Sequence, residues 1–373
     1  MTTEDPANKL LPASAGSGRP RVRVIGYLIA LVSVGALVGS FSAKDRLQAV
    51  QAAPVQSLPA PTAYRATPEN DAKLRRFVSS VLTFSLLHEA GHLIISEYQV
   101  PVLGREEDAA DRFAVAALAS PGSAGVAMSD AKGNPLPHPL LAAALFWEAL
   151  HVRSEANHEE LAWADEHGLP RQRAYMIACL LYGSNPGQFE KLAQQVGIDA
   201  DRRRSCIKEA AQNQRSWSSV IAPHLVSRDD QIAVIVANGT ADAFYHPVGE
   251  RGSKALRDAL LRAKHTVEDM KVLEGVAEVI RGLKPPPDFG PQRSSLDQLT
   301  QKILENLASK PLTPAEIERK YRFRVTADSC LTKDGKAMVN AFWNRDDRTI
   351  ILCYGFVAEV ENIGKSLIAA RDR

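Results

Sequence analysis

Neither sign of charge dominates this chain: 45 Lys and Arg stand against 43 Asp and Glu, a formal balance of +2. Its basic residues form no block beyond short clusters such as Arg202-Arg203-Arg204, which read as a solvated helix face, so no nucleic-acid partner is indicated. Cysteine is scarce, with four in 373 residues, and none has the spacing of a zinc knuckle or a redox Cys-x-x-Cys pair. What remains is an ordinary globular composition, 45% hydrophobic, able to bury a core in one large domain or two smaller ones.

One motif stands out from that background. The run Phe84-Ser85-Leu86-Leu87-His88-Glu89-Ala90-Gly91-His92-Leu93-Ile94-Ile95 places His-Glu-x-x-His inside an apolar stretch long enough for a helix. Residues four apart share a helix face, so His88 and His92 can present neutral imidazoles to one metal ion while Glu89 points at its open position. Zinc in such a setting lowers the pKa of bound water to about 7, and the adjacent carboxylate can take the proton as the water attacks a carbonyl. After a break at residues 99–104, the segment from Arg105 to Ala114 has helix-forming composition and opens on acids that suit a helix N-terminus. As a returning antiparallel helix it brings Glu107 up as the third ligand. Asp111, four residues on, can accept the second N–H of a ligand histidine and fix its tautomer. Glu106 and Asp108 are expected to point elsewhere.

These residues carry a resemblance. His88-Glu89-Ala90-Gly91-His92 followed by Glu107-Asp108-Ala109-Ala110-Asp111 resembles the gluzincin metallopeptidases, and residues 88–114 resemble a bacterial metallopeptidase family classed as a domain of unknown function. The resemblance implies zinc on His88, His92 and Glu107, Glu89 as general base and Asp111 behind a ligand imidazole. Downstream, Asp165-Glu166-His167, Gln172-Arg173, Cys179 and Tyr182-Gly183 are similar to the same family. Gluzincins commonly use a downstream His or Tyr to stabilise the oxyanion, which makes His167, Tyr175 and Arg173 candidates.

Ahead of the motif, residues 1–23 are polar and end in Arg19, Arg21 and Arg23, reading as a disordered cytoplasmic leader. Residues 24–41 then run 18 positions without a charge, the lower limit for a transmembrane helix. An uncleaved anchor is favoured over a signal peptide, because Phe41-Ser42-Ala43 puts a bulky residue where the cleavage pattern wants a small one. Either way the remainder is exported, past a tether rich in Ala, Pro and Gln at 42–69. With the family resemblance, this places the domain on the outer face of a bacterial inner membrane. Four cysteines in an exported chain read as two disulfides, and of the three connectivities local pairing is chosen: Cys179 with Cys206, Cys330 with Cys353.

Residues 70–228 read as a helical zinc-motif half, with helices from 70 to 98, from about 105 to 119 and from 140 to 156, and a Pro- and Gly-bearing loop at 120–139 that can border a cleft. Residues 229–373 read as a sheet-containing half of the same domain. It holds a strand at 231–237, a helical stretch at 253–283, a helix near 296–308, a strand at 321–325, a hairpin built on Val339 to Trp343 and Thr349 to Tyr354, and a closing helix at 356–370. The hairpin's Asn340-Ala341-Phe342 resembles the strand that borders the cleft of membrane-associated gluzincins. There it precedes the zinc helix; here it follows by more than two hundred residues, which reads as a circular permutation, with a truncated tandem copy as the rival.

The expected fold is therefore α+β: a mainly helical, zincin-like metallopeptidase domain with a small antiparallel sheet, preceded by one transmembrane helix. The expected function is a zinc-dependent peptidase whose substrate, a peptide or protein, pairs with the edge strand at Asn340. The alternatives are a non-catalytic zinc-containing envelope binding protein and a zinc amidase acting on cell-wall peptides.

Overall fold

In the computed structural model, residues 64–119, 137–160, 163–225, 241–283 and 323–371 are described. The leader, the anchor at 24–41, the strand expected at 231–237, the helix expected near 296–308 and most of the 120–139 loop lie outside them. Residues 56–373 form one compact unit.

The longest element, α1 (Pro68–Glu97), starts where its sequence says a helix should. Thr67 is extended and its hydroxyl accepts from the Asn70 N–H, Pro68 takes a position that needs no donor, and Glu69 and Asp71 sit in the positive first turn. From Val78 onward nearly every side chain is buried, whichever way it points. A helix apolar on all faces is a core helix. It is also long and apolar enough to cross a membrane, but four-fifths of its apolar window is buried inside the protein (83%), which identifies it as interior packing.

Among the described residues the first half adds α2 (Glu106–Ala119) and α3 (Pro139–Ala156), which pack on α1, and α4 (Pro170–Ser184), α5 (Pro186–Gln195) and α6 (Ala200–Ile221), of which α4 packs on α2 and α3. The second half adds β1 (Asp242–Tyr245), α7 (Lys254–Met270), α8 (Val272–Arg281), β2 (Arg324–Asp328), β3 (Ala341–Asn344), β4 (Thr349–Cys353) and α9 (Tyr354–Arg371). The helical stretch expected at 253–283 divides in two because Lys271 adopts a left-handed conformation, φ 52°, between α7 and α8.

The sheet corrects the antiparallel expectation. Its order is β1-β2-β4-β3, with β1 and β2 parallel, β2 and β4 parallel, and only β3 and β4 antiparallel. The hairpin was readable from its local sequence. That β4 would insert between β3 and β2 was not, because parallel pairing joins segments far apart and leaves no turn signature. β3 is thus an edge strand, and Asn340, expected in it, falls just before its start.

Both disulfides pair as expected. Cys179–Cys206 ties α4 to α6 with Cα atoms 5.1 Å apart, and Cys330–Cys353 ties the segment after β2 to the end of β4 at 5.4 Å. Beside the first, a Cβ on Gly183 would fall 2.2 Å from the Cys206 carbonyl oxygen, so only glycine lets α4 and α6 approach this closely.

Candidate metal centre

The centre begins with the contact of α1 and α2. A Cβ on Gly91 would stand 2.9 Å from the Ala110 Cα, so the absence of a side chain there lets the two backbones nearly touch. Gly91 lies between His88 and His92, and Ala110 between Glu107 and Asp111. The close crossing therefore stacks the two pairs opposite one another in antiparallel register.

Three donor atoms converge as a result. His88 Nε2 and His92 Nε2 are 3.2 Å apart, and Glu107 Oε2 lies 3.0 Å from the first and 3.3 Å from the second. A tetrahedral ion with ligands at about 2.0–2.2 Å has ligand-to-ligand edges of roughly 3.3–3.5 Å. The triangle matches one face of such a tetrahedron, and these three residues are the metal-capable cluster among the described residues. Neither imidazole is free to turn. His88 Nδ1 is 2.8 Å from Asp111 Oδ1, and His92 Nδ1 is 2.8 Å from Glu106 Oε1. Each carboxylate holds an Nδ1–H and leaves Nε2 as the inward lone pair. Glu106 is a correction: expected to point away, it serves His92 as Asp111 serves His88. Asp108 does turn elsewhere, pairing with Arg105 at 3.0 Å.

Asp111 is itself anchored. It is 2% exposed, and Arg173 donates Nε to Oδ2 at 2.8 Å and Nη2 to Oδ1 at 2.6 Å, while the guanidinium lies 3.6 Å above the Trp147 ring. Arg173, a candidate for the oxyanion, is thus committed to Asp111 and buried. Burial raises the Asp111 carboxyl, but Arg173 and His88 outweigh it and hold it down to about 2.

The other titrating groups follow from their neighbours. Burial pulls both imidazoles down, but hydrogen bonds donated to Asp111 and Glu107 lift His88, and those donated to Glu107 and Glu106 bring His92 up to about 9. Glu107, with imidazoles on three sides, is pushed below the carboxylate range despite burial acting the other way. Glu89 moves upward, chiefly through burial, and its carboxylate accepts a backbone hydrogen bond from Trp343 in β3. A carboxylate placed beside three donor atoms and made more basic by burial is suited to taking a proton.

His167 is brought in as well. Its Nε2 is 2.9 Å from Glu107 Oε2, its Nδ1 is 3.1 Å from Asp165 Oδ1, and its ring stacks on His88 with centroids 5.9 Å apart. It stands outside the three-donor triangle and, with 45% of its side chain exposed, on the open side of the centre. Tyr175 is not brought in: an atom added at Gly197 would lie 3.3 Å from its hydroxyl, which places that group beside the segment after α5. Asn340 is occupied within the hairpin, where its carbonyl accepts from the Cys353 N–H at 3.1 Å. By the alternation of an antiparallel ladder, the groups on the free edge of β3 are then those of Ala341 and Trp343.

Together these features define a His-His-Glu group with the geometry to hold a metal ion, on a helical scaffold. Residues 58–221 match a family whose description is "Putative metallopeptidase". The match spans α1 to α6 and every residue of the centre except those contributed by β3. Among curated proteins and among solved structures, nothing matches.

Proposed function

We propose that the protein is a zinc-dependent metallopeptidase of the cell envelope. The observation that supports this most directly is the donor triangle of His88, His92 and Glu107 with the buried Glu89 carboxylate beside it. A purely structural zinc site closes with four protein ligands and needs no base. Three donors with an adjacent raised carboxylate favour catalysis over a non-catalytic binding protein.

When bound, zinc would supply Lewis acidity to a water and to a scissile carbonyl. Everything else falls to the chain. Glu106 and Asp111 hold the two imidazoles with Nε2 inward. Glu89 accepts the proton of the attacking water and delivers it to the leaving amine, a shuttle favoured by the upward shift that burial gives its carboxyl. His167, backed by Asp165, holds Glu107 through Nε2 and would turn that N–H to the oxygen that becomes negative once the metal takes the Glu107 carboxylate. The free edge of β3 aligns an extended peptide through the Ala341 backbone and the Trp343 carbonyl, the Trp343 N–H being given to Glu89. In this reading the sheet-bearing second half is the earlier half of the family fold, placed after the metal helix. The two disulfides suit an oxidising compartment, and residues 24–41 would tether the domain to the bacterial inner membrane from its outer side.

The test uses the zinc-loaded chain with a peptide library and with cell-wall peptide fragments. Wild type should cleave peptides and Glu89→Gln should not, with metal content unchanged. Cleavage of cell-wall fragments alone would make it an amidase, and equal inertness of wild type and variant would leave the binding-protein reading.

A further inference from the structure

A second feature adjoins the centre on its His167 side. Between α2 and α4 lies a cavity of about 170 Å³, lined in part by Arg105, Asp108, Asp111, Arg112, Gln172 and Arg173. At about 30 Å³ per water it has room for roughly five waters, or for the end of one side chain. Its outer rim is the half-exposed Arg105–Asp108 pair; its floor is the buried Arg173–Asp111 pair that backs His88. Gly168, which follows His167, completes the wall nearest the metal ligands.

The polar groups of this cavity are unbalanced toward donors. Asp111 is taken by Arg173 and Asp108 by Arg105, so both acids are neutralised locally. Arg112 makes no ion pair of its own among the described residues; Glu209, which feels its charge, lies outside the lining and is paired with Arg202, so the lining itself holds three guanidiniums against two carboxylates. The Gln172 side-chain oxygen accepts from the Leu169 N–H at 3.1 Å, leaving its amide hydrogens as donors. Arg105 spends Nε and Nη2 on Asp108 and keeps Nη1. A lining of donors with one surplus cation is complementary to an acceptor-only anion, and a guanidinium fork fits a carboxylate best.

We infer that this cavity is a subsite for a substrate carboxylate, so that the enzyme selects peptides carrying an acidic group near the scissile bond. The inference rests on the peptidase reading, since a peptide crossing the centre beside His167 is what would reach it. Two sources present the same chemistry: an acidic side chain, or the peptide's own C-terminal carboxylate.

The experiment compares kcat/KM for peptides with Glu, Gln or Lys at each of the three positions either side of the cleaved bond, each with a free or amidated C-terminus. The expected result is a preference for Glu over Gln of tenfold or more at one position. Arg112→Gln should erase it and Arg112→Glu should turn it toward Lys, with metal content unchanged. A preference abolished by amidation, and indifferent to Glu or Gln, assigns the site to the C-terminal carboxylate. Equal cleavage of all peptides, or a Glu preference that survives in Arg112→Gln, overturns the subsite. If no peptide is cleaved, the peptidase reading fails, and the cavity is then judged by calorimetric titration of N-acetylglutamate amide against N-acetylglutamine amide. Glutamate binding lost in Arg112→Gln upholds a carboxylate site; no difference between the two ligands overturns it.

Discussion

The indole N–H of Trp343 donates to the Ser96 hydroxyl at 3.1 Å, joining β3 to the metal helix across 247 positions of sequence. One residue on, Glu97 forms a buried ion pair with Arg348, which closes the β3–β4 turn in a left-handed conformation. The hairpin is therefore clamped along the same helix that carries His88 and His92, and Trp343 also meets Glu89 through its backbone. Trp343→Ala removes a half-buried aromatic and its hydrogen bond, a loss of about 2 kcal/mol of stability. It should retain the metal and lose more than tenfold in kcat/KM, because the edge strand loosens from Glu89. Unchanged kinetics in a folded variant would remove β3 from the site.

Glu106 and Asp111 should behave as partners of the metal ligands and not as ligands. Glu106→Gln and Asp111→Asn keep the shape of each side chain and lose its charge, so metal affinity should fall by about 10- to 100-fold each. His88→Ala, His92→Ala and Glu107→Ala should each abolish stoichiometric binding. Competition with a chromogenic chelator measures all five. A complete loss in Glu106→Gln with retention in Glu107→Ala would reassign the third ligand.

What was legible in the sequence was whatever a local pattern enforces. The i, i+4 spacing of His88 and His92 and of Glu107 and Asp111 specifies two helix faces, and the choice of local pairing among three connectivities matches the two disulfides. Glu106 was misjudged because its role depends on the depth of the helix crossing, which Gly91 and Ala110 set. Arg173 was misplaced for a related reason: its partner Asp111 lies 62 residues away, and only the fold brings them together. The parallel pairing of β2 and β4 had no local signature either.

Metal binding should be coupled to proton release. In the metal-free protein His92 sits up at about 9, well above an ordinary histidine near 6.5, so at pH 7 it carries a proton that an incoming cation must displace. The sign for stability follows from the same shift. The raised group contributes stability that is full below about 6.5 and is lost as pH climbs through about 9. Apoprotein should therefore gain from His92 protonation at low pH, while metal affinity and metal-induced thermal stabilisation increase from pH 6 to 9. Calorimetry in buffers of different ionisation enthalpy should show at least one proton released per site at pH 7. An affinity flat across that range would contradict the assigned hydrogen bonds.

The disulfides close loops of 27 and 23 residues, each of which limits the unfolded chain by about 3.5 kcal/mol on the loop-entropy scale. Replacing Cys179 and Cys206 together by Ser should lower the midpoint of urea unfolding while leaving metal content intact at low temperature, since neither residue touches a metal ligand. An unchanged midpoint would show that α4 and α6 are held by packing alone.

Gly91→Ala is the sharpest test of how the centre is built. Alanine is the better helix former, by about 1 kcal/mol, and on an isolated α1 the substitution would stabilise. Here the new methyl would meet backbone, the Ala110 Cα at 2.9 Å, and backbone cannot rotate away as a side-chain tip can. The helices must separate by several tenths of an ångström, and α2 carries Glu107, Glu106 and Asp111 with it. Three contacts of 2.8–3.3 Å would lengthen together, so metal affinity should drop at least tenfold although no ligand has changed. A paired variant, Gly91→Ala with Ala110→Gly, removes the Ala110 methyl that also crowds the site at 3.2 Å and should recover part of the affinity. If Gly91→Ala binds metal as wild type does, the close crossing of α1 and α2 is not what sets the donor triangle.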